Sequence, residues 1–207
     1  MSDEDKPGLI GKIKDKLIAS KEKTAAAGRH ITGRVDRGHE NRLPPGQHLV
    51  DKWPVLDLGA QPDVSADKWR LRIEGAVENT VTLTLADFMA LPQTRYVSDI
   101  HCVTTWSRYD NRWDGVASQT IIDLVKPTAD ARHVIFHSYD GYTTNIKLDV
   151  FNEPDVILAH SWEGEPLTRE HGGPVRGIVP QWYFWKSAKW IRRIEFSAVD
   201  KPGFWEE

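Results

Sequence analysis

Short segments with the alternation of half-buried strands recur along residues 69–197, and this pattern constrains the fold more than any other feature of the chain. WRLRIEGAV (69–77) and VTLTL (81–85) alternate apolar and polar residues with the period of a strand. RHVIFHSYDGYTTNI (132–146) predicts a β-hairpin that turns at its Asp-Gly pair. Three further segments predict strands: TRYVSDIHCV (94–103), PVRGIVP (174–180) and KWIRRIEF (189–196).

The helical segments between these strands are short. TLADFMALP (84–92) predicts a helix with Thr84 as its N-cap and Pro92 as its stop. SQTIIDLVKP (118–127) predicts a second helix, and LDVFNEPDVIL (148–158) predicts a short helix followed by a strand. Because the sequence lacks regular βαβ alternation, we predict an α+β fold with mixed β-sheets and short helices.

Composition narrows the class of protein. The chain has 207 residues, of which 40% are apolar and 28% are charged, as in an ordinary soluble globular protein. Its net charge of −3 argues against a general nucleic-acid-binding protein. We find no apolar run near the roughly 20 residues of a membrane helix and no signal-peptide core, and the only Arg-Arg pair is Arg192–Arg193. We therefore expect a cytoplasmic protein.

The N-terminal part differs from the rest of the chain. Residues 7–28 predict an amphipathic helix, because apolar residues recur at helical spacing opposite a lysine-rich face. Such a helix binds a membrane surface or a partner, or packs against its own domain or a second subunit, and we favour packing. Residues 29–52 predict an extended arm. We therefore divide the chain into a helix and arm (1–52) and a compact domain (53–207).

The chain has a single cysteine, Cys102, at the end of a predicted strand. A lone cysteine excludes an internal disulfide and is most often a small buried hydrophobic residue. Five residues near it are unusually polar for a strand that continues into a core: His101, Thr104, Thr105, Ser107 and Arg108. Cys102 is therefore a candidate nucleophile, with His171 as its base, or a candidate ligand for a soft metal.

Two later segments together predict an anion-binding site. HGGPVRGIVP (171–180) has glycines that let backbone N–H groups approach a bound group, and Arg176 offers a bidentate fork. KSAKW (186–190) adds the hydroxyl of Ser187 and the ammonium of Lys189. A guanidinium, an ammonium, a hydroxyl and backbone N–H groups together are suited to binding a phosphate or a carboxylate.

Taken in order, IHCVTTWS, HGGPVRGIVP and KSAKWIRRIEF resemble the sulfite-oxidase-like, molybdopterin-dependent oxidoreductases. The resemblance covers most of residues 53–200, and the Cys-Val-x-x-Trp-Ser stretch is most similar to bacterial protein-methionine-sulfoxide reductase catalytic subunits. It implies a sulfite-oxidase-type fold and a molybdenum held by the dithiolene of one molybdopterin. The implied reaction is oxygen-atom transfer on a small sulfoxide-like or related substrate.

The resemblance also implies roles for individual residues. Cys102 is expected to bind the metal. Trp106, Arg108 and Trp113 are expected to line the substrate mouth, because they are close to Cys102 in sequence. Contacts with the cofactor are implied for nine residues: Trp53, Leu56, Asp57, His137, His171, Arg176, Ser187, Ala188 and Lys189.

The sequence departs from both kinds of relative near the cysteine. Thr104 replaces the acidic residue of the reductases, and Ser107 and Arg108 stand where sulfite oxidases present a sulfite-binding arginine. We expect neither a sulfite-oxidase dimerisation domain nor a haem domain in 207 residues. Electrons are therefore expected to pass through a separate haem, flavin or quinone-linked partner, and the N-terminal helix is a candidate for docking a partner or a second subunit.

Two other functions remain alternatives at this point. The first is a thiol hydrolase or transferase that uses Cys102 and His171. The second is a non-catalytic pterin-binding or scaffold protein.

Overall fold

The computed structural model describes residues 42–206, so the predicted helix 7–28 and the start of the arm lie outside the described residues. Two 3-10 helices, Arg169–His171 and Phe184–Lys186, accompany the regular elements of this part of the chain. In order these elements are β1 (His48–Leu49), β2 (Arg70–Gly75), β3 (Val81–Thr84), α1 (Leu85–Ala90), β4 (Gln93–His101), β5 (Trp106–Ala117), α2 (Ser118–Val125), β6 (His133–Ser138), β7 (Thr143–Lys147), α3 (Leu148–Phe151), β8 (Ile157–Trp162), β9 (Glu165–Pro166), β10 (Arg176–Ile178) and β11 (Ile191–Ser197).

The strands form two mixed sheets. The five-stranded sheet has the order β3-β2-β11-β6-β7, in which only β2 and β11 run parallel. In the six-stranded sheet, β5 pairs in parallel with β1 and antiparallel with β4 and β8, while β9 and β10 pair with β8. This architecture confirms the predicted α+β fold with mixed sheets and short helices.

The helices are short and begin where the sequence predicts. The hydroxyl of Thr84 accepts a hydrogen bond from the N–H of Asp87, whose carboxylate accepts one from the N–H of Thr84. This capping box starts α1, which ends at Ala90, shortly before Pro92. No helix in residues 42–206 is long and apolar enough to span a membrane.

The longest strand, β5, was not predicted from the sequence. Its residues, WSRYDNRWDGVA, are largely polar, yet it lies inside the six-stranded sheet. Asn111 is fully buried, and its side-chain amide donates to the carbonyl oxygens of Ser98 and Arg108. A Cβ on Gly115 would lie 2.2 Å from the carbonyl oxygen of Leu158, so only glycine lets β8 approach this closely. Tertiary hydrogen bonds therefore override the weak strand pattern.

The buried side chains form two clusters. The larger contains Trp69, Phe88 and Phe136 together with residues of β2, β6 and β11. The smaller lies on the six-stranded sheet and contains Trp53, Ile100, Cys102, Trp106, Trp113, Ile157, Ala159, Leu167 and Ile178. Cys102 is therefore held in a packed, tryptophan-rich core.

Candidate active site

A cavity open to solvent brings together residues that are far apart in sequence. Its walls come from segment 53–58, the turn after β4, the turn between β6 and β7, and residues 170–190. Ten residues singled out in the sequence line it: Trp53, Leu56, Asp57, Cys102, Trp106, His171, Arg176, Ser187, Ala188 and Lys189.

Cys102 lies in the tight turn that joins β4 to β5. Its N–H donates to the carbonyl of Trp106 (2.9 Å), and its own carbonyl accepts from the N–H of Thr105 (3.0 Å), which has a φ of 80°. The Cys102 side chain is 6% exposed, and burial raises the pKa of the thiol. The thiol is therefore protonated at neutral pH unless a cation stabilises its anion, as a bound metal ion does.

His171 does not act as a base for Cys102 in this arrangement. Its ring stacks on Trp53, with centroids 3.9 Å apart. Its Nδ1 lies 2.9 Å from Thr168 Oγ1, and its Nε2 lies 3.3 Å from the carbonyl oxygen of Trp53. Both ring nitrogens therefore have other partners, and burial lowers the pKa of the imidazole.

Arg176 is a buried cation on the cavity wall. It is 2% exposed, and it donates to the carbonyl oxygens of His171 and Ser187 at 2.8 Å each. Its guanidinium lies 4.3 Å from the ring centre of Phe184. Within residues 42–206 it forms no ion pair with a carboxylate, and loss of hydration lowers its pKa to about 9. An anionic ligand would restore the stabilisation that burial removes.

Lys189 places a second cation in the same cavity. Its ammonium donates to the carbonyl of Glu170 at 2.9 Å. Burial, followed by the nearby charge of Arg176, lowers the pKa of Lys189 to about 8. The N–H groups of Ala188 and Lys189 have no hydrogen-bond acceptor within the described residues. This wall therefore offers two cations and two available backbone donors.

The glycines of segment 171–180 serve a different purpose from the one expected. The N–H groups of Gly172 and Gly173 donate to the carbonyls of Arg169 and Thr168, so neither amide is available to a bound group. Gly172 has a φ of +100°, and a Cβ there would lie 2.8 Å from Cβ of Lys189. The expectation of anion-binding glycine amides was wrong, because these residues shape the turn and let Lys189 approach.

His137 does not reach the cavity, but its neighbour Ser138 does. His137 lies 3.2 Å from a carboxylate oxygen of Glu195 and 2.8 Å from the guanidinium of Arg193. Successive side chains of a strand point to opposite faces, so Ser138 lines the cavity instead. Ser138 is 2% exposed, and its hydroxyl has no partner within residues 42–206. Because side chains alternate between the two faces of a strand, moving the predicted contact from His137 to the next residue would have identified Ser138.

Two of the three residues expected at the substrate mouth lie elsewhere. Arg108 packs 4.7 Å from the ring centre of Trp162 and hydrogen-bonds to Asn111 and the carbonyl of Asp51. Trp113 is fully buried, and its indole N–H donates to Ser98 Oγ at 2.9 Å. Only Trp106 lines the cavity. Both displaced side chains belong to β5, whose strand structure was not predicted.

Three carboxylates line the cavity near Lys189, those of Asp57, Asp140 and Glu170. Asp57 accepts hydrogen bonds from the N–H of Gly59 and the amide of Gln61. Asp140, in the turn between β6 and β7, was not among the predicted site residues, and burial raises its pKa. Carboxylates accept hydrogen bonds from ring and amino N–H groups, so this side of the cavity suits a nitrogen-rich ligand.

These features fit the molybdenum–molybdopterin cofactor that the resemblance implies. Arg176 is buried and Lys189 is partly buried, and since neither forms an ion pair within residues 42–206, both suit its phosphate. The hydroxyl of Ser138, unpartnered in the same residues, needs a hydrogen-bonding ligand. The carboxylates suit a pterin, and the sulfur of Cys102 suits a soft metal. The cavity thus contains a suitable group for each chemical part of the cofactor: the phosphate, the pterin and the metal.

Comparisons with known proteins agree with this fit. The model of the family "oxidoreductase molybdopterin binding domain" matches residues 58–205. The uncharacterized oxidoreductase YuiH of Bacillus subtilis (strain 168) is 45% identical over 166 residues, which cover 80% of this chain and 84% of that protein. The protein-methionine-sulfoxide reductase catalytic subunit MsrP of Campylobacter jejuni is 28% identical over 174 residues, covering 76% of this chain and 58% of MsrP. This chain therefore spans less than two thirds of the reductase subunit.

A solved structure agrees with the fold. The sulfane dehydrogenase SoxCD from Paracoccus pantotrophus superposes with a TM-score of 0.62 at 21% identity, over 67% of this chain and 40% of that one. This likeness confirms the sulfite-oxidase-type fold, and the family match confirms the oxidoreductase class and the molybdenum–molybdopterin cofactor. Because the family model covers more than half of the chain, the protein belongs to the oxidoreductase molybdopterin-binding domain family.

Proposed function

We propose that this oxidoreductase catalyses oxygen-atom transfer on a small sulfoxide-like or related substrate, with Cys102 as the protein ligand of the molybdenum. The observation that carries the proposal is that the only cysteine of the chain lines the same cavity as buried Arg176 and partly buried Lys189, neither of which forms an ion pair within residues 42–206. The similarity to a protein-methionine-sulfoxide reductase subunit supports the substrate class.

When bound, the cofactor supplies oxygen-atom transfer through a metal that alternates between an oxidised and a reduced state. Cys102 contributes a thiolate, and its proton leaves when the metal binds. Arg176 and Lys189 hold the phosphate by charge-assisted hydrogen bonds, and the N–H groups of Ala188 and Lys189 add uncharged donors. Ser187 accepts from the N–H of Val179 at 3.0 Å, so its own hydroxyl proton is available to the phosphate.

The substrate enters past segment 53–58 in this proposal. Val55 and Leu56 are exposed and line the cavity, while Trp53 and Trp106 form buried walls. These apolar side chains exclude water from the reacting atoms, which strengthens the electrostatic interactions inside the cavity. Trp106 is therefore the predicted mouth residue that we retain as a substrate contact.

We further propose that a separate protein exchanges electrons with the metal. The relative MsrP is named as the catalytic subunit of its enzyme, which supports a division of labour between catalysis and electron delivery. A haem, flavin or quinone-linked protein has suitable chemistry.

Elemental analysis tests the proposed function. Protein produced in a host that makes molybdopterin is expected to contain about one molybdenum per chain, because one cavity holds one cofactor. Protein from a host that lacks molybdopterin synthesis serves as the control and should contain none. Folded protein from the competent host without molybdenum would overturn the proposal.

The affinity of the cavity for anions is expected to fall above pH 8. Because burial lowers the pKa of Lys189 to about 8, its ammonium loses its proton in this range, and the cavity then loses one positive charge. Sulfate is a suitable probe for the cofactor-free protein, since it carries two negative charges over this whole pH range. Calorimetric titration should show an affinity that falls by up to about tenfold per pH unit.

The variant Lys189→Arg provides the matched control for this pH dependence. Arginine has a much higher intrinsic pKa than lysine, so the part of the decrease that comes from position 189 should disappear, and only the loss of charge from Arg176 near pH 9 should remain. An unchanged pH profile in this variant would assign the titration to another group.

A further inference from the structure

Thr104 makes a direct polar contact with the sulfur of Cys102. Its Oγ1 lies 3.1 Å from Sγ. A thiolate has no proton to donate, so in the metal-binding state the hydroxyl of Thr104 is necessarily the donor. The chain therefore places the hydroxyl donor of Thr104 on its candidate metal ligand.

Residues of the N-terminal arm hydrogen-bond to the turn between β4 and β5. The side-chain amide of Gln47 donates to the carbonyl oxygen of Cys102 at 2.9 Å. Ser107, fully buried, donates its hydroxyl proton to the Gln47 side chain and lies 2.8 Å from Nδ1 of His101. His48 of β1 and Val50, which follows this strand, donate backbone hydrogen bonds to the carbonyls of Thr105 and Ser107. Ser107 thus supports the turn and does not line the cavity.

Resting on the proposed function, we propose that Thr104 is a positioning residue that orients the Cys102 sulfur and sets how strongly this sulfur donates electrons to the metal. A hydrogen bond withdraws electron density from a thiolate ligand, and hydrogen bonds to sulfur ligands tune metal reduction potentials. Thr104 thereby favours the reduced metal, which is the form that accepts an oxygen atom from a sulfoxide.

Thr104 is suited to substitution because it is exposed and Val has nearly the same shape. The test compares the cofactor-loaded wild type with Thr104→Val, which removes the hydroxyl, and Thr104→Ser, which keeps it. Thr82→Val on the exposed face of β3 is the matched control for a threonine remote from Cys102. The measurements are molybdenum content, the midpoint potential of the metal and its electron paramagnetic resonance spectrum.

We expect Thr104→Val to retain the metal with a more negative midpoint potential and an altered spectrum. Thr104→Ser and Thr82→Val should match the wild type in potential and spectrum. Full molybdenum content with an unchanged potential and spectrum in Thr104→Val would overturn this inference and leave the proposed function intact. A wild type without molybdenum would instead overturn the proposed function.

Discussion

Replacing Cys102 with serine is expected to lower turnover by at least about 100-fold while the protein stays folded and keeps its pterin. Serine fills a similar space in the turn between β4 and β5, but it offers the metal a hard oxygen in place of a soft sulfur. Loss of an outer partner of a metal ligand already costs about 10–100-fold, so loss of the ligand itself should cost at least as much. Reduction of a small sulfoxide by an artificial electron donor measures the effect.

Spectroscopy and labelling provide the controls for this variant. The wild type should show a thiolate-to-metal absorption band that Cys102→Ser lacks, while the pterin content is the same in both. A thiol hydrolase would instead react with iodoacetamide at Cys102 in the native protein and act without metal. A scaffold protein would keep its biological function after the substitution. Wild-type turnover in Cys102→Ser would rule out a catalytic role for the metal–sulfur bond.

Replacing Arg176 with methionine is expected to lower the cofactor content of the purified protein by at least about 10-fold. A hydrogen bond to a charged group contributes about 1.5–3 kcal/mol, and the substitution removes the buried cation that supplies such bonds to the phosphate. Methionine keeps an apolar side chain of comparable length next to Phe184. Molybdenum and pterin per chain are the measured quantities, with thermal unfolding to verify the fold.

Two further variants test whether the loss of cofactor depends on the guanidinium of Arg176 itself. Arg176→Lys keeps the charge but loses the fork that reaches the carbonyls of His171 and Ser187, so an intermediate cofactor content is expected. Arg95→Met removes a surface arginine that pairs with Asp114 and should leave the content unchanged. A folded Arg176→Met protein with wild-type cofactor content would place the phosphate elsewhere.

The local elements of the fold were predictable because each rests on neighbouring residues. The Thr84–Asp87 capping box starts α1, and the Asp-Gly pair turns the hairpin of β6 and β7. β5 was missed for the opposite reason. Its polar side chains are satisfied by partners from other strands, such as the carbonyl of Ser98 for Asn111, and a single segment contains no sign of them.

Most of the predicted site residues line the cavity, but some of them lie elsewhere. Ten of the residues singled out in the sequence line one cavity, whereas Arg108 and His137 do not. His137 missed it by one position, because alternate residues of β6 face opposite sides of the sheet, and Ser138 occupies the cavity wall. Sequence proximity to Cys102 was a poor guide on β5, where Arg108 packs against Trp162 and hydrogen-bonds to Asn111.

By itself the sequence determined the chemical inventory: one cysteine, a segment with Arg176, a segment with Lys189, and the strand and helix signals that imply a mixed-sheet fold. These depend on residue identity and local spacing. Only the tertiary structure decided that Arg176 is buried with no carboxylate partner in residues 42–206, that both ring nitrogens of His171 have partners other than Cys102, and that Thr104 contacts the sulfur. Desolvation and hydrogen bonding act between groups brought together by folding, so their effects are fixed by contacts between distant segments.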